Sequence, residues 1–256
     1  MDYLIKVGGY SFLEAMETLV GQAAAKPPTP VPTGQKEKPK TLLLPQVSRC
    51  ATHAVSYLTG RGISPELIDF CMETGRLYES YPHHNVVFVG FDKQGNRRFA
   101  CQRGIGTDFK GDVNGSDKHY SFSLPVAESS NSVHLFESAI DLLSYATLCQ
   151  MKGADWRRLN LLSLAGVYQP KKVIEESKLP AALTRYLTDY PHIKVVRLHL
   201  DNDGPSRLAA KAIMTVLPEE YVAVSHPPPK GKDVNDYLCH RLGIPIRNSK
   251  ERTRER

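Results

Sequence analysis

Residues 198–210, LHLDNDGPSRLAA, place two aspartates, Asp201 and Asp203, where an apolar run stops, with Gly204 and Pro205 directly after them. The preceding IKVVRLHL (193–200), rich in β-branched and leucine residues and bounded by Pro191, predicts a strand of about eight residues. The following PSRLAAKAIMTVL (205–217) spaces Leu208, Ala212, Ile213 and Val216 near the helical period, with Pro205 in the tolerated first turn. Asp, Asn, Gly and Pro are the usual punctuation between strand and helix, so a turn and a helix cap account for the pair without chemistry. Strand side chains repeat every second residue, however, which puts Asp201 and Asp203 on one side and Asn202 on the other. Carboxylates that close repel unless a proton or a cation lies between them. An all-oxygen pair suits Mg²⁺, which takes one or two protein carboxylates and leaves its other positions to water and phosphate.

Outward from this stretch the chain alternates. SVHLFES (132–138) reads as a strand, AIDLLSYATLCQMKG (139–153) as a helix, LNLLSLAG (159–166) as a strand and LPAALTRYLTDY (179–190) as a helix; YVAVSHPP (221–228) is a last strand. Such alternation predicts a parallel sheet covered by helices, with its functional edge at the strands' carboxyl ends. Glu137 ends the first of these strands, and Asp141 follows four residues later on the first helical turn. Glu137 can meet Asp201 and Asp203 if their strands are neighbours across the switch point. KGKDVNDYL (230–238), beyond the last strand, adds Asp233, Asn235 and Asp236. Four segments thus deliver acidic or amide groups to one edge, which caps alone would not predict.

Upstream, helical HAVSYLTGRGISPELIDFCMETG (53–75) gives way to strand-rich NVVFVGFDKQGNRRFACQRG (85–104), whose DKQGN is a hairpin signal. His83 and His84 precede that strand without a metal-ligand spacing nearby and read as a surface turn. Residues 1–21 read as a short helical unit, SFLEAMETLV, in which Ser11 can cap and Glu14 completes a capping box. QAAAKPPTPVPTGQKEKPK (22–40) has the composition of a linker. The net charge of +6 lies mostly in this linker and in the last ten residues, at +3 each, so global basicity says little about nucleic acid. No apolar stretch reaches the roughly 18 residues of a membrane span, and the acidic N-terminus is unlike a signal peptide, so a cytoplasmic protein is expected. Five cysteines without a C-x-x-C pair fit reduced thiols, and no zinc is expected.

The strand ending in Glu, the strand ending in Asp-x-Asp and the spacing between them resemble the Toprim domain of bacterial primases, topoisomerases and some nucleases, most closely that of DnaG-type primases. Glu137 and Asp141 match the family's Glu with Asp four residues later, and Asp201 and Asp203 its Asp-x-Asp. Asp233 matches the first residue of its Asp-Pro-Asp, whereas Asn235 stands for the second, and Ser138 and Ser206 stand where the pattern has Gly. SYLTGRGISPELIDFCMETGRLYE (56–79) is similar to the opening of the primase core, and 85–104 to its template-facing strands. Residues 1–21 look like the tail of the primase zinc ribbon without the ribbon's ligands. The whole, over about residues 47–240, resembles the primase-like Toprim proteins of bacterial mobile elements.

This resemblance implies an α/β fold: a Toprim-type parallel sheet flanked by helices, preceded by a smaller α+β primase-like subdomain. The expected organisation is a zinc-ribbon remnant (1–21), linker (22–46), primase-core-like subdomain (47–127), Toprim domain (128–245) and basic tail (246–256). It implies Mg²⁺, with Mn²⁺ as the alternative ion, held by Glu137, Asp201 and Asp203, with Asp141 and Asp233 completing the catalytic group. Lys230 and Lys232 are candidates for phosphate contact, and Arg97, Arg98, Arg103 and Lys118 for template contact, with Tyr120 and Phe122 for stacking. The implied partners are single-stranded DNA, nucleotides and a helicase or other replication or transfer protein, with no membrane. Three activities are compatible: primase-like nucleotidyl transfer, Mg²⁺-dependent nuclease action through the same carboxylates, and DNA binding without catalysis.

Overall fold

The structure, a computed structural model, describes residues 41–126 and 130–245. The chain divides into two units, residues 1–39 and 40–256, and every described residue belongs to the second. The expected N-terminal helix, most of the linker and the basic tail lie outside the described residues. Among the described residues no helix is long and apolar enough to cross a membrane.

Two short helices open the unit, α1 (Thr52–Thr59) and α2 (Pro65–Glu73). The second starts where sequence signals agree: the Ser64 hydroxyl accepts the Leu67 N–H, and Pro65 and Glu66 occupy the first turn. Four antiparallel strands follow in spatial order β1 (Leu77–Glu79), β2 (Val86–Phe91), β3 (Arg97–Arg103) and β4 (Lys110–Asp112). The hairpin expected at 92–96 joins β2 to β3, with Asp92 accepting from the Gln94 and Asn96 amides.

The second sheet is wholly parallel, in order β6 (Asn160–Ser163), β5 (Ser132–Phe136), β7 (Val195–His199), β8 (Val222–Ser225). Helices α3 (Ala139–Met151) and α6 (Val234–Leu242) pack on one face, and α4 (Ala181–Asp189) and α5 (Gly204–Val216) on the other. The central strand β5 is buried at all five positions, as a parallel strand covered on both faces requires. Helix α3 is buried almost all round because it lies between this sheet and α1 and α2 of the smaller subdomain. Leu58, Leu67 and Ile68 therefore share one core with Leu142, Leu143 and Leu238. The expected mixed α/β architecture is the one observed. All five cysteines are free thiols.

Residues 120–124 join the two sheets. Ser121 donates to the Ser163 carbonyl, the Ser163 N–H donates to the Phe122 carbonyl and the Leu124 N–H to that of Leu161, covering the outer edge of β6. On its other side this segment lies directly over β2, where a Cβ added at Gly90 would sit 1.8 Å from the Tyr120 carbonyl oxygen. Only glycine permits that approach.

Candidate functional site

The acidic residues come together at the carboxyl edge of the parallel sheet because β5 and β7 are hydrogen-bonded neighbours, in register at Phe136 and His199. Each chain leaves its strand within two residues of that pair. Glu137 Oε1 accepts the Asp201 backbone N–H at 3.1 Å. Asp203 serves two functions at once: Oδ1 caps α5 by accepting the Ser206 N–H and hydroxyl at 3.0 and 2.7 Å, while Oδ2 faces Lys232. The cap that a bland reading invoked is present, and it orients the second oxygen toward the edge.

Asp141 is buried, and both its oxygens are engaged: Oδ2 accepts the Ser138 hydroxyl at 2.6 Å and Oδ1 the Asn235 N–H at 3.3 Å. Asp233 caps α6 by accepting the Asp236 N–H at 2.7 Å. Lys232 Nζ lies 3.6 Å from Asp201 and 3.4 Å from Asp203. Its loop is pinned, since its carbonyl accepts the Asn202 N–H at 2.6 Å and its own N–H donates to Asp236 at 2.9 Å. Gly231, at φ 87°, makes that turn where a Cβ would stand 2.5 Å from Asp236 Cβ.

The electrostatics follow from crowding. Burial, then Asp141, Glu137 and Asp233, push the Asp201 carboxyl up to about 8, with Lys232 pulling the other way. Burial, then Asp233, push Asp141 up to about 7. Asp203, held by the Ser206 hydroxyl and N–H, lies below the usual carboxylate range. The donor set is all oxygen and rich in carboxyl groups, which fits a hard divalent cation such as Mg²⁺. Glu137, Asp201 and Asp203 are the candidates to hold it, with Asp141 and Asp233 behind them, although among the described residues these carboxylates do not form a group whose ligand atoms all lie within 4.8 Å of one another.

The basic candidates divide. Lys232 is at the edge, whereas Lys230 points to His240, with Nζ and Nε2 2.5 Å apart. Arg103 Nε is 3.4 Å from the Tyr57 hydroxyl, and the Arg61 guanidinium stacks on the Tyr57 ring at 4.9 Å, so Arg103, Tyr57 and Arg61 form a run. That run ends at Asn235, whose Oδ1 accepts from Arg61 Nη1 at 2.8 Å. Arg97 is at the other end of β3, roughly 20 Å away by strand rise, and Lys118 is paired with Asp112 at 3.0 Å. Arg98 stacks on Tyr120, which Arg185 also covers. Phe122 corrects an expectation: it is fully buried, edge-on to Phe88 at 5.5 Å, and cannot stack on a base.

Arg61 and the role of Asn235 escape sequence reasoning, because the two partners are 174 positions apart. Asn235 is buried; besides accepting from Arg61, its Nδ2 donates to the Arg61 carbonyl and the Ser144 hydroxyl, each at 2.9 Å. An aspartate here would turn that donor into an acceptor facing a carbonyl and add charge beside Asp141. Asn235→Asp should therefore lower stability by about 1–3 kcal/mol, measured by urea denaturation; an unchanged midpoint would show that the amide is dispensable.

Residues 134–238 match a family model described as Toprim-like, and residues 56–127 one described as a protein of unknown function, DUF3991. No curated protein matches the chain in sequence. Among solved structures, the fold is similar to the primase fragment of the bacteriophage T7 primase-helicase protein, with TM-score 0.51 and 20% identity over 82% of this chain and 79% of that one. It is similar also to the E. coli primase catalytic core, at 0.50 and 19% over 76% and 70%. The zinc-binding and RNA polymerase domains of the Aquifex aeolicus primase give 0.50 and 17% over 75% and 53%. The chain therefore carries a Toprim-like domain joined to a smaller α+β subdomain, in the mixed α/β fold of primase catalytic cores.

Proposed function

We propose that this protein is a primase-like nucleotidyltransferase acting on single-stranded DNA with Mg²⁺, Mn²⁺ being the alternative ion. The observation that carries this reading is the gathering of Glu137, Asp141, Asp201, Asp203 and Asp233 at one sheet edge with the Lys232 ammonium. Glu137, Asp201 and Asp203 would hold Mg²⁺, which would supply positive charge to a phosphoryl group in transfer. Lys232, beside Asp201 and Asp203, is placed to meet a nucleotide's phosphates. Arg103 and Arg61 offer guanidinium groups to a template backbone, with Asn235 linking their run to Asp141. Asp141, with both oxygens held by the protein, acts as a positioning residue.

The proposed setting is replication or transfer of a mobile element in the cytoplasm. A replicative helicase is the proposed partner, a reading supported by likeness to a fragment of a primase-helicase protein.

Incubation with Mg²⁺, NTPs or dNTPs and end-labelled single-stranded DNA tests the proposal in one gel. Synthesis of a new strand, seen when the nucleotides carry a label as well, is the expected result. Cleavage would instead identify a nuclease using the same carboxylates, and retardation alone a DNA-binding accessory.

Template contact has its own test. Arg103→Ala should weaken single-stranded DNA binding to a similar degree for unrelated sequences and reduce the slope of log affinity against log salt by about one phosphate contact, roughly 0.7. Unchanged affinity and slope would move the binding surface away from β3.

A further inference from the structure

Far from the acidic edge in sequence, His53 near the start of α1, Glu79 at the end of β1 and His84 in the loop before β2 converge. The Glu79 side chain is fully buried, and its Oε1 is approached by His53 Nδ1 at 3.0 Å and by His84 Nδ1 at 2.5 Å. Oε2 is fixed separately, accepting the Ala54 N–H at 2.9 Å. The three donor atoms lie within 4.8 Å of one another, and both imidazoles are about half exposed, so one side of the cluster is open to water. His84 reaches Glu79 from a left-handed backbone, φ 53°, a conformation uncommon outside glycine. The surface turn expected at His83 and His84 is present, His83 exposed and His84 partly so, but the His84 ring also reaches Glu79.

We propose that His53, Glu79 and His84 form a second metal site, for a borderline transition-metal cation of the Zn²⁺ class. Two imidazole nitrogens and one carboxylate with open positions are a donor set that Zn²⁺ and its neighbours take and Mg²⁺ does not. Ligand atoms bound at 2.0–2.1 Å around such an ion lie roughly 2.9–3.4 Å apart, and the two ring-to-carboxylate pairs, at 3.0 and 2.5 Å, are near that spacing. The Ala54 N–H holds the carboxylate as outer-shell hydrogen bonds hold metal-ligating carboxylates. Among the described residues, Glu79 pairs with these two rings and with no lysine or arginine, so a divalent ion adds the charge that the buried carboxylate lacks. On binding, each ring presents its Nδ1 lone pair to the ion and keeps its proton on Nε2. The bound ion pins α1 to the end of β1. The expectation of no zinc rests on cysteine spacing, and no cysteine takes part here.

The test is equilibrium dialysis of the chelator-stripped full chain against Zn²⁺ in excess Mg²⁺, alongside thermal melts with and without Zn²⁺. One Zn²⁺ per chain and a raised melting temperature are expected for the wild type and equally for Asp201→Asn, whose acidic edge is altered. His53→Ala, which removes an exposed ring, and His84→Asn, which tolerates the left-handed backbone, should each bind Zn²⁺ at least about tenfold more weakly and lose the thermal gain. Absence of Zn²⁺ binding by the wild type, or wild-type binding by both histidine variants, overturns the site.

Discussion

Asp201→Asn should abolish Mg²⁺-dependent turnover, by more than about a hundredfold, while making the metal-free protein more stable than the wild type at pH 8. The substitution removes a charge from the edge at almost unchanged volume, and that charge is the one most strongly opposed by its surroundings. The Asp201 and Asp141 carboxyls, near 8 and 7 when folded against an ordinary 3.8, hold protons that the unfolded chain releases above about pH 4. The stability they contribute is fully present below that pH and is lost as pH rises toward 8. Metal-free wild type should therefore melt progressively lower from pH 5 to pH 8, and Asp201→Asn should show a flatter profile and a gain on the order of 1–2 kcal/mol at pH 8. Millimolar Mg²⁺ should raise the wild-type melting temperature by about 4 °C or more at pH 8, less at pH 5.5, and the variant's much less at either. A wild type indifferent to Mg²⁺, with a variant that melts lower in chelator, would reduce residues 200–204 to a structural turn and leave the DNA-binding accessory as the function.

Gly90→Ala should destabilise the protein by more than about 3 kcal/mol, lowering its melting temperature by roughly 8 °C or more. The added Cβ meets backbone atoms of Tyr120 and Ser121 at 1.8, 2.9 and 3.0 Å, and these cannot rotate away as a side chain would. The 120–124 segment must lift, and with it go the hydrogen bonds to Leu161 and Ser163 that cover β6. Gly111→Ala, at a position with open space around it, is the control and should change stability by less than about 0.5 kcal/mol. Equal melting of the two variants would show that the sheets are not held together there.

The parallel sheet was legible because β5 and β6 are short apolar runs buried at every position, and three of its helices have caps spelled locally: Ser138, Asp203 and Asp233 each accept an N–H three residues on; β8 is a partly exposed edge and α4 has no side-chain cap. The shared edge of Glu137, Asp201 and Asp203 was legible for the same reason, since parallel strands end together. Strand order was not legible, because apolar runs do not name their neighbours. Phe122 reads like an aromatic beside basic residues, and only the packing of β2 against it makes it core. Asn235 looks like a lost carboxylate until Arg61 and Ser144 appear beside it. The His53, Glu79 and His84 group has spacings of 26 and 5 residues that no short pattern contains.

Lys232 gives the acidic edge its own internal competitor. Its ammonium lies between the carboxylates of Asp201 and Asp203 with the same sign as a metal ion, so a cation held there as proposed would have to displace it, and part of the ion's affinity would be offset by the lost pairing. Because the backbone of Lys232 is anchored at both its carbonyl and its N–H, a displaced ammonium would stay within a side chain's length of the edge.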